Sequence, residues 1–508
     1  MKRVVTRSEM KELDAHTIHD IGVPSAVLME RAALALAAQI EKEAGRQERI
    51  LIVCGSGNNG GDGIAAARLL HIKGFRVDLY LVGNSRKYTA ETSLQLQIAK
   101  NYHVPVVEKP DWSAYGMIVD SIFGVGLTRP VEGHYREILE AMNQAKAKKI
   151  AADIPSGLDG SSGRVLGIAF RADVTVAFAF LKQGMCFYPG RSLAGRVIVA
   201  DIGIGDVPYE YGQPVWALEK EDMKLLPERV PWGHKGTFGK VLLVAGTKGM
   251  CGAAYFGASA ALNTGAGMVR VQTEEENRLP LHTLLPEAIV ETEFSEEKNA
   301  KLLDWCDVIV IGPGLGEGEQ SRKRAEWFLR QGSLQKKPII LDADGLNLLS
   351  VNPQWEQYLN KNTMLTPHIG EMSRLTHLSI RQIKENPTGV AAELSKKMGA
   401  VCVLKDAGTV IAGPDGALYI NLSGNPGMAA AGSGDVLSGM LAGVCCMYLS
   451  SEENPDTSYK AAMGVYLHGL CGNYAAGKIG TRGMKARDIL KAIPLVLKEF
   501  ETGSKEIE

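Results

Sequence analysis

Three short stretches in the first half of the chain gather polar side chains directly after apolar runs. They are "GSGNNGGDG" (Gly55 to Gly63), "VDSIFGVGLTRP" (Val119 to Pro130) and "ADIPSGLDG" (Ala152 to Gly160). Each offers its own chemistry. A helix opening after the first stretch presents backbone N–H groups that can hold phosphate. The oxygens of Asn, Asp and Ser can ligate a hard cation. An Asp at a strand end can give and take a proton by turns. A fourth stretch, "NPGMAAAGSGDVLSGMLAG" (Asn425 to Gly443), places Gly432, Ser433 and Gly434 at the start of a long apolar helix. Three successive amides there form an anion hole. Asp435, in the first turn, can accept a proton from a hydroxyl as phosphate transfers.

Within the first stretch, Gly55, Gly57 and Gly60 spell the G-x-G-x-x-G of a dinucleotide fingerprint. That fingerprint requires an acid about 20 residues on, at the tip of the next strand, to bind the ribose. Here the acid is Asp78, inside "RVDLYLVG". It falls in mid-strand, alternating with Val77 and Leu79, so an intact nicotinamide cofactor held for hydride transfer is not the expected ligand.

The elements that must position these residues come in two series. "RILIVCG", "FRVDLYLVG", "GMIVDSIFG", "KKIAADIP", "DVTVAFAF" and "GRVIVADIG" alternate with helix-length segments. Near-continuous apolar strands of this kind predict a parallel α/β sheet. The series stops near Gly205, and residues 206–235 are rich in Pro and charge. A second series runs through "KVLLVAG", "GMVRVQT", "VIVIGPGLG", "KPIILDADGLNLL", "NTMLTPHIGEM", "AVCVLKDAGTVIAG" and "ALYINLSG". The reading is two fused α/β domains, 1–215 and 236–508, joined by a linker at 216–235.

Composition narrows the function class. The chain has 508 residues, too many for one core. Its net charge of -1 makes no electrostatic case for nucleic acid or an anionic membrane. The eight cysteines are scattered without a C-x-x-C, as in a reduced cytoplasmic protein. The polar N-terminus does not read as a signal peptide. "AALALAAQI" is too short to span a membrane and is expected as a buried helix.

"NNGGDG", "VDSIFGVGL" and "DIPSGLDG", in this order, resemble the signature stretches of the NAD(P)HX epimerase family. The resemblance covers most of residues 1–215 and implies a Rossmann-like three-layer α/β/α fold. NAD(P)HX is NADH or NADPH hydrated across a double bond of the nicotinamide ring. The resemblance implies that Asn58, Asn59, Gly60, Gly61 and Asp62 bind this hydrate. So would Gly124, Val125, Gly126, Leu127, Thr128, Arg129 and Pro130. It also implies a K+ ion on Asn59, Asp120 and Ser156, with Asp153 as the proton-transferring group in contact with substrate.

The second half resembles the ADP- or ATP-dependent NAD(P)HX dehydratases, a branch of the ribokinase-like proteins. The motifs are "HKGTFGKVLLVAG", "IGPGLG", "ILDADGLNLL", "LTPHIGEM" and "GSGDVLSGM", between about 225 and 500. The resemblance implies that Ala253, Gly316, His368 and Asp435 contact the hydrated dinucleotide, with Asp435 as general base. Lys405, Asp406, Ala407, Gly408, Thr409 and Gly434 would bind the adenine nucleotide, with Mg2+ as cofactor. Asp342 and Asp344 either help place Mg2+ or cap the following helix. One departure is Ala429 to Ala431, where some members carry Lys and Gly. Together the resemblances imply a bifunctional repair enzyme, with small-molecule substrates and a homo-oligomer among the assemblies open to it. The alternative is a ribokinase-like vitamin or thiazole kinase fused to a non-catalytic dinucleotide-binding module.

Overall fold

In the computed structural model, residues 1–205, 213–451 and 454–501 are described. The chain divides into two compact units, Lys2–Pro214 and Val215–Glu508. All six strands expected in the first unit form, as one wholly parallel sheet. Its order is Arg76–Leu81, Arg49–Cys54, Met117–Ser121, Lys148–Ala152, Val174–Phe178 and Arg196–Ala200. The strands are apolar nearly throughout because helices cover both faces. "AALALAAQI" lies in the helix Ser25–Glu43, with Ala32, Ala33, Leu36 and Ile40 buried. Two short strands, Lys2–Val5 and Leu181–Lys182, pair in parallel outside this sheet and carry no strand signal in the sequence.

The chain leaves the strand Arg49–Cys54 toward one edge and returns to its other side at Met117–Ser121. The order reverses there, and a ligand crevice opens at the carboxyl ends of the two strands. The first two polar loops meet at this point. The N–H of Gly55 donates to the carbonyl of Ser121 at 3.0 Å. A Cβ on Gly55 would lie 2.1 Å from the carbonyl oxygen of Ile122, so only glycine allows the loops this close.

The second unit repeats the plan with more strands. Lys240–Val244, Met268–Gln272, Ile289–Glu291, Val308–Ile311, Ile339–Leu341, Thr363–Leu365 and Val401–Leu404 are parallel. Val410–Ala412 and Leu418–Ile420 then add as antiparallel strands, which the expectation of a parallel series did not include. "KDAGT" is the turn into the first of them. The order reverses between Lys240–Val244 and Val308–Ile311, again bringing two glycine-rich loops together. The helix Ser433–Met447 is buried along nearly its whole length, as its sequence predicts.

Part of the stretch expected as a linker, 216–235, is regular structure. Val215–Ala217 is a strand paired in parallel with Leu418–Ile420, and a 3-10 helix follows at Lys220–Leu225. Ala217 and Met223 are buried; the charged residues between them hid these apolar positions from sequence reading. Residues 206–212, where the Pro- and charge-rich stretch begins, lie outside the described residues. All eight cysteines are unpaired, and seven are buried. No helix among the described residues is long and apolar enough to cross a membrane.

Gly55→Ala tests the loop junction. The clash with the Ile122 carbonyl is expected to cost about 1–3 kcal/mol and to lower the first unit's melting temperature. An unchanged melting curve would show that the two loops can part freely.

Candidate active sites

The first unit has a cavity of about 560 Å³ at its switch point, within the ordinary range for small-molecule sites. Asn58, Asn59, Asp62, Asp153 and the loop Gly124–Arg129 line it, so the three polar stretches converge as expected. Gly60, Gly61 and Pro130 are not among its lining residues. The helix Asn58–Ile72 opens at Gly57, which has no side chain to cap the first amides.

Asp153 stands just past the strand Lys148–Ala152 with φ +64, in the left-handed region that few non-glycine residues adopt. Lys182 donates to Asp153 Oδ1 at 2.5 Å and to the carbonyl of Phe178 at 2.6 Å. The N–H of Val125 reaches Asp153 Oδ2 at 3.3 Å. Lys182 is wholly buried, and this carboxylate is its acidic partner. Sequence reading missed Lys182; its signal was a lysine embedded in the apolar run "AFAFLKQGM".

Asp120 is also wholly buried, and burial pushes its carboxyl up to about 6. Its Oδ2 accepts from the N–H of Ser156 at 2.7 Å, and its Oδ1 accepts from Ser156 Oγ at 2.7 Å. Asn59 is buried nearby, and neither Oδ1 nor Nδ2 has a hydrogen-bond partner among the described residues. An orphaned carbonyl oxygen and a desolvated carboxyl fit a hard monovalent cation. Asp78, by contrast, is committed to the frame, accepting from Arg49 Nε at 2.8 Å and Tyr115 at 2.9 Å. It is no ribose ligand.

In the second unit the hub is Asp342, which sequence reading left aside. Lys405 Nζ donates to its Oδ1 at 2.7 Å, Thr366 Oγ1 to Oδ1 at 2.7 Å, and Ser438 Oγ to Oδ2 at 2.6 Å. Burial works against its charge, but Lys405 and these hydrogen bonds outweigh burial and hold the carboxyl below its usual range. Lys405, expected to line the nucleotide, therefore spends its ammonium on Asp342. It stands beside Gly434: a Cβ there would be 3.6 Å from Nζ. Asp406 and Ala407 are exposed, whereas Gly408 and Thr409 are buried in the turn.

Burial, then Asp342, pushes the Asp435 carboxyl up to about 6, against the pull of Lys405. The anion hole differs from the expected set of amides. The Ser433 N–H already donates to the carbonyl of Ala430 at 3.2 Å. The N–H groups of Gly432, Gly434 and Asp435 have no partner among the described residues. Gly432 makes the turn at φ +88 with the Phe256 ring packed against it. Ala430 and Ala431 border a second cavity of about 820 Å³ that Lys485 and Arg487 also line.

Ala253 and Gly316 come together through the intervening Gly314, whose Cβ would lie 2.9 Å from that of Ala253. The Gly316 N–H is taken by Asp344 Oδ2 at 2.7 Å, so Asp344 braces the "GPGLG" loop and only carbonyl and Cα edges face a ligand. His368 caps the helix Ile369–Thr376: its Nδ1 accepts from the N–H groups of Gly370 at 2.9 Å and Glu371 at 3.3 Å. Burial, with Lys405 and Arg374, lowers its pKa, and with Nδ1 accepting, Nε2 is the nitrogen that can donate. Burial lifts Glu371 beside it to about 7.

The comparisons with known proteins cover both units. A family model described as NAD(P)H-hydrate dehydratase matches residues 241–495, and one described as YjeF-related protein N-terminus matches residues 25–184. A bifunctional NAD(P)H-hydrate repair enzyme of Thermofilum pendens is 37% identical over 98% of this chain and 96% of its own length. The enzyme of the same name from Escherichia coli is 34% identical over 88% of this chain and 84% of its own. Among solved structures, the ADP/ATP-dependent NAD(P)H-hydrate dehydratase of Bacillus subtilis, crystallised with ATP and Mg2+, is 30% identical with a TM-score of 0.48. That likeness covers 56% of this chain and 99% of the Bacillus chain.

Asp342→Asn leaves the Lys405 ammonium buried and unpaired. The expected loss is on the order of 3 kcal/mol at pH 7, read by urea denaturation. Because the Asp342 carboxyl is held below its usual range, its stabilisation is complete above that range. It is lost as pH falls through the lowered value, so wild type and variant should converge in acid. A constant gap down to pH 2 would contradict the ion pair.

Proposed function

The chain belongs to the bifunctional NAD(P)H-hydrate repair enzymes, and from that premise we propose how its two units divide the work. The first unit interconverts the R and S epimers of NADHX and NADPHX. The second dehydrates the S form at the expense of ADP or ATP and restores NADH or NADPH. The relatives match both halves of the chain, which favours this over a kinase fused to a binding module. The observation that carries the reading is a desolvated Asp at each crevice, Asp153 against Lys182 and Asp435 beside open helix amides.

In the first unit the hydrate enters the cavity past Asn58 and the loop Gly124–Arg129. The Asn58–Asp62 turn approaches its phosphates through backbone. Asp153, aimed by its left-handed backbone and its bond from Lys182, exchanges a proton with the hydrated carbon's hydroxyl. Asn59, Asp120 and Ser156 would hold K+, whose charge offsets that of Asp120 and keeps the adjoining loops in place.

In the second unit Asp435 takes the proton of the ring hydroxyl, and that oxygen accepts the terminal phosphoryl group. The N–H groups of Gly434 and Asp435 steady the transferring phosphate. The ring nitrogen's lone pair then expels phosphate, and loss of a proton from the neighbouring carbon restores the double bond. His368 donates through Nε2 to the substrate. The turn Lys405–Thr409 and Gly434 receive the nucleotide. Mg2+ would offset phosphate charge; Asp342 is already satisfied by three donors, which leaves the phosphates themselves to carry the ion.

Asp435→Asn should abolish phosphate release and NADH recovery while epimer exchange continues, and Asp153→Ala should do the reverse. Loss of both activities in either folded variant would contradict separate sites. Dehydration requires the Asp435 carboxylate, so its rate should fall as pH drops below about 6; a flat profile to pH 4.5 would remove Asp435 as base. Replacing K+ by Na+ should slow epimer exchange, and Asn59→Ala should erase the difference between the ions.

A further inference from the structure

Inverting the hydrated carbon by loss and return of its hydroxyl needs two proton carriers. One protonates the departing hydroxyl as the ring nitrogen's lone pair forms C=N+. The other takes a proton from the water that adds to the opposite face. The hydroxyl leaves as water, water returns, and no proton is gained or lost overall. Because the reaction runs both ways, the carriers exchange roles between directions. Asp153 supplies one. The second comes from an element that none of the three signature stretches includes.

The helix Arg7–His19 is held at its start by a capping box between Thr6 and Glu9. Met10 and Leu13 bury one of its faces in the unit's core. Met10, Lys11, Asp14 and Ile18 line the cavity, a spacing that puts them along one side of the helix. Asp14 is partly buried, and its carboxyl makes no hydrogen bond among the described residues. A carboxyl left unpaired in such a place keeps its proton more readily. Burial first, and then the nearby Asp153, do raise its pKa, against the pull of His19 and Lys182. The other titratable groups around the cavity are Lys11 on the same helix, Asp62 on the helix Asn58–Ile72, and Arg129 on the loop after Met117–Ser121. Asp62 is deeper, and burial, then Asp153 and Asp14, push its carboxyl well above its usual range.

We propose that Asp14 is the second catalytic acid/base of the epimerase site, working with Asp153 across the same cavity. Asp153 accepts from the Lys182 ammonium, whereas Asp14 has no such donor, and the two carboxyls take the acid and base roles by turns. This rests on the epimerase reading of the first unit.

The test is Asp14→Asn in the full chain, with epimer exchange followed by NMR above the spontaneous rate and NADH recovery from S-NADHX measured in the same preparation. The expected result is at least a 100-fold loss of kcat for exchange, a KM within about threefold of wild type, and unchanged NADH recovery. Asp14→Glu should restore part of kcat. A wild-type kcat in Asp14→Asn, or a loss confined to KM, would overturn the proposal. If Asp14→Asn melts more than a few degrees below wild type, Asp14→Glu decides: no recovery of kcat in a variant of wild-type stability would also overturn it. Wild-type protein without exchange activity would instead overturn the epimerase reading, so the two failures are distinguishable.

Discussion

A carboxylate withdrawn from water must find a cation or keep its proton, and both units are organised by that choice. Asp153 is paired with a lysine that has no exposure at all, and Asp342 with a partly buried one. In each unit the paired acid lies close to one that burial pushes upward, Asp14 in the first and Asp435 in the second. A cation-paired acid thus stands beside one that burial makes a stronger base. Parallel sheets lend themselves to this, because their strand ends are covered on both faces yet open at the crevice.

The glycine-rich loops make the pairing possible. In the first unit, Gly55 lets its loop meet the backbone of Ile122, and Gly60 lets the start of the helix Asn58–Ile72 fold back onto Gly55. In the second, the turn through Ala343 at φ +48 sends Asp342 inward to Lys405 and Asp344 outward to the Gly316 amide. Neighbouring acids in one short motif thus do different work, one electrostatic and one architectural.

Much of this was legible beforehand. The six strands of the first unit and the convergence of its three loops follow from apolar runs ending in Gly, Asn and Asp. The main strands of the second unit follow in the same way. What could not be read was who pairs with whom. Lys182 meets Asp153 across 29 positions, and an alternation pattern carries no information on such contacts. The antiparallel turn after Val401–Leu404 was hidden because strands of three residues look alike in either direction. The Ser433 amide looked free in sequence; only the fold shows Ala430 claiming it. Asp14 escaped notice because a lone acid on an amphipathic helix is ordinarily a solvated one.

The unpaired thiols have a practical side. Burial pushes Cys186, Cys402 and Cys471 up to about 12 and Cys445 up to about 11. Thiols so rarely ionised react slowly with oxidants and alkylating reagents. Cys251 is the partly exposed exception, two residues before Ala253 at the head of its helix. A thiol-directed fluorophore should therefore settle at this single position, giving a native reporter beside the dehydration crevice with no need to engineer the other seven cysteines away.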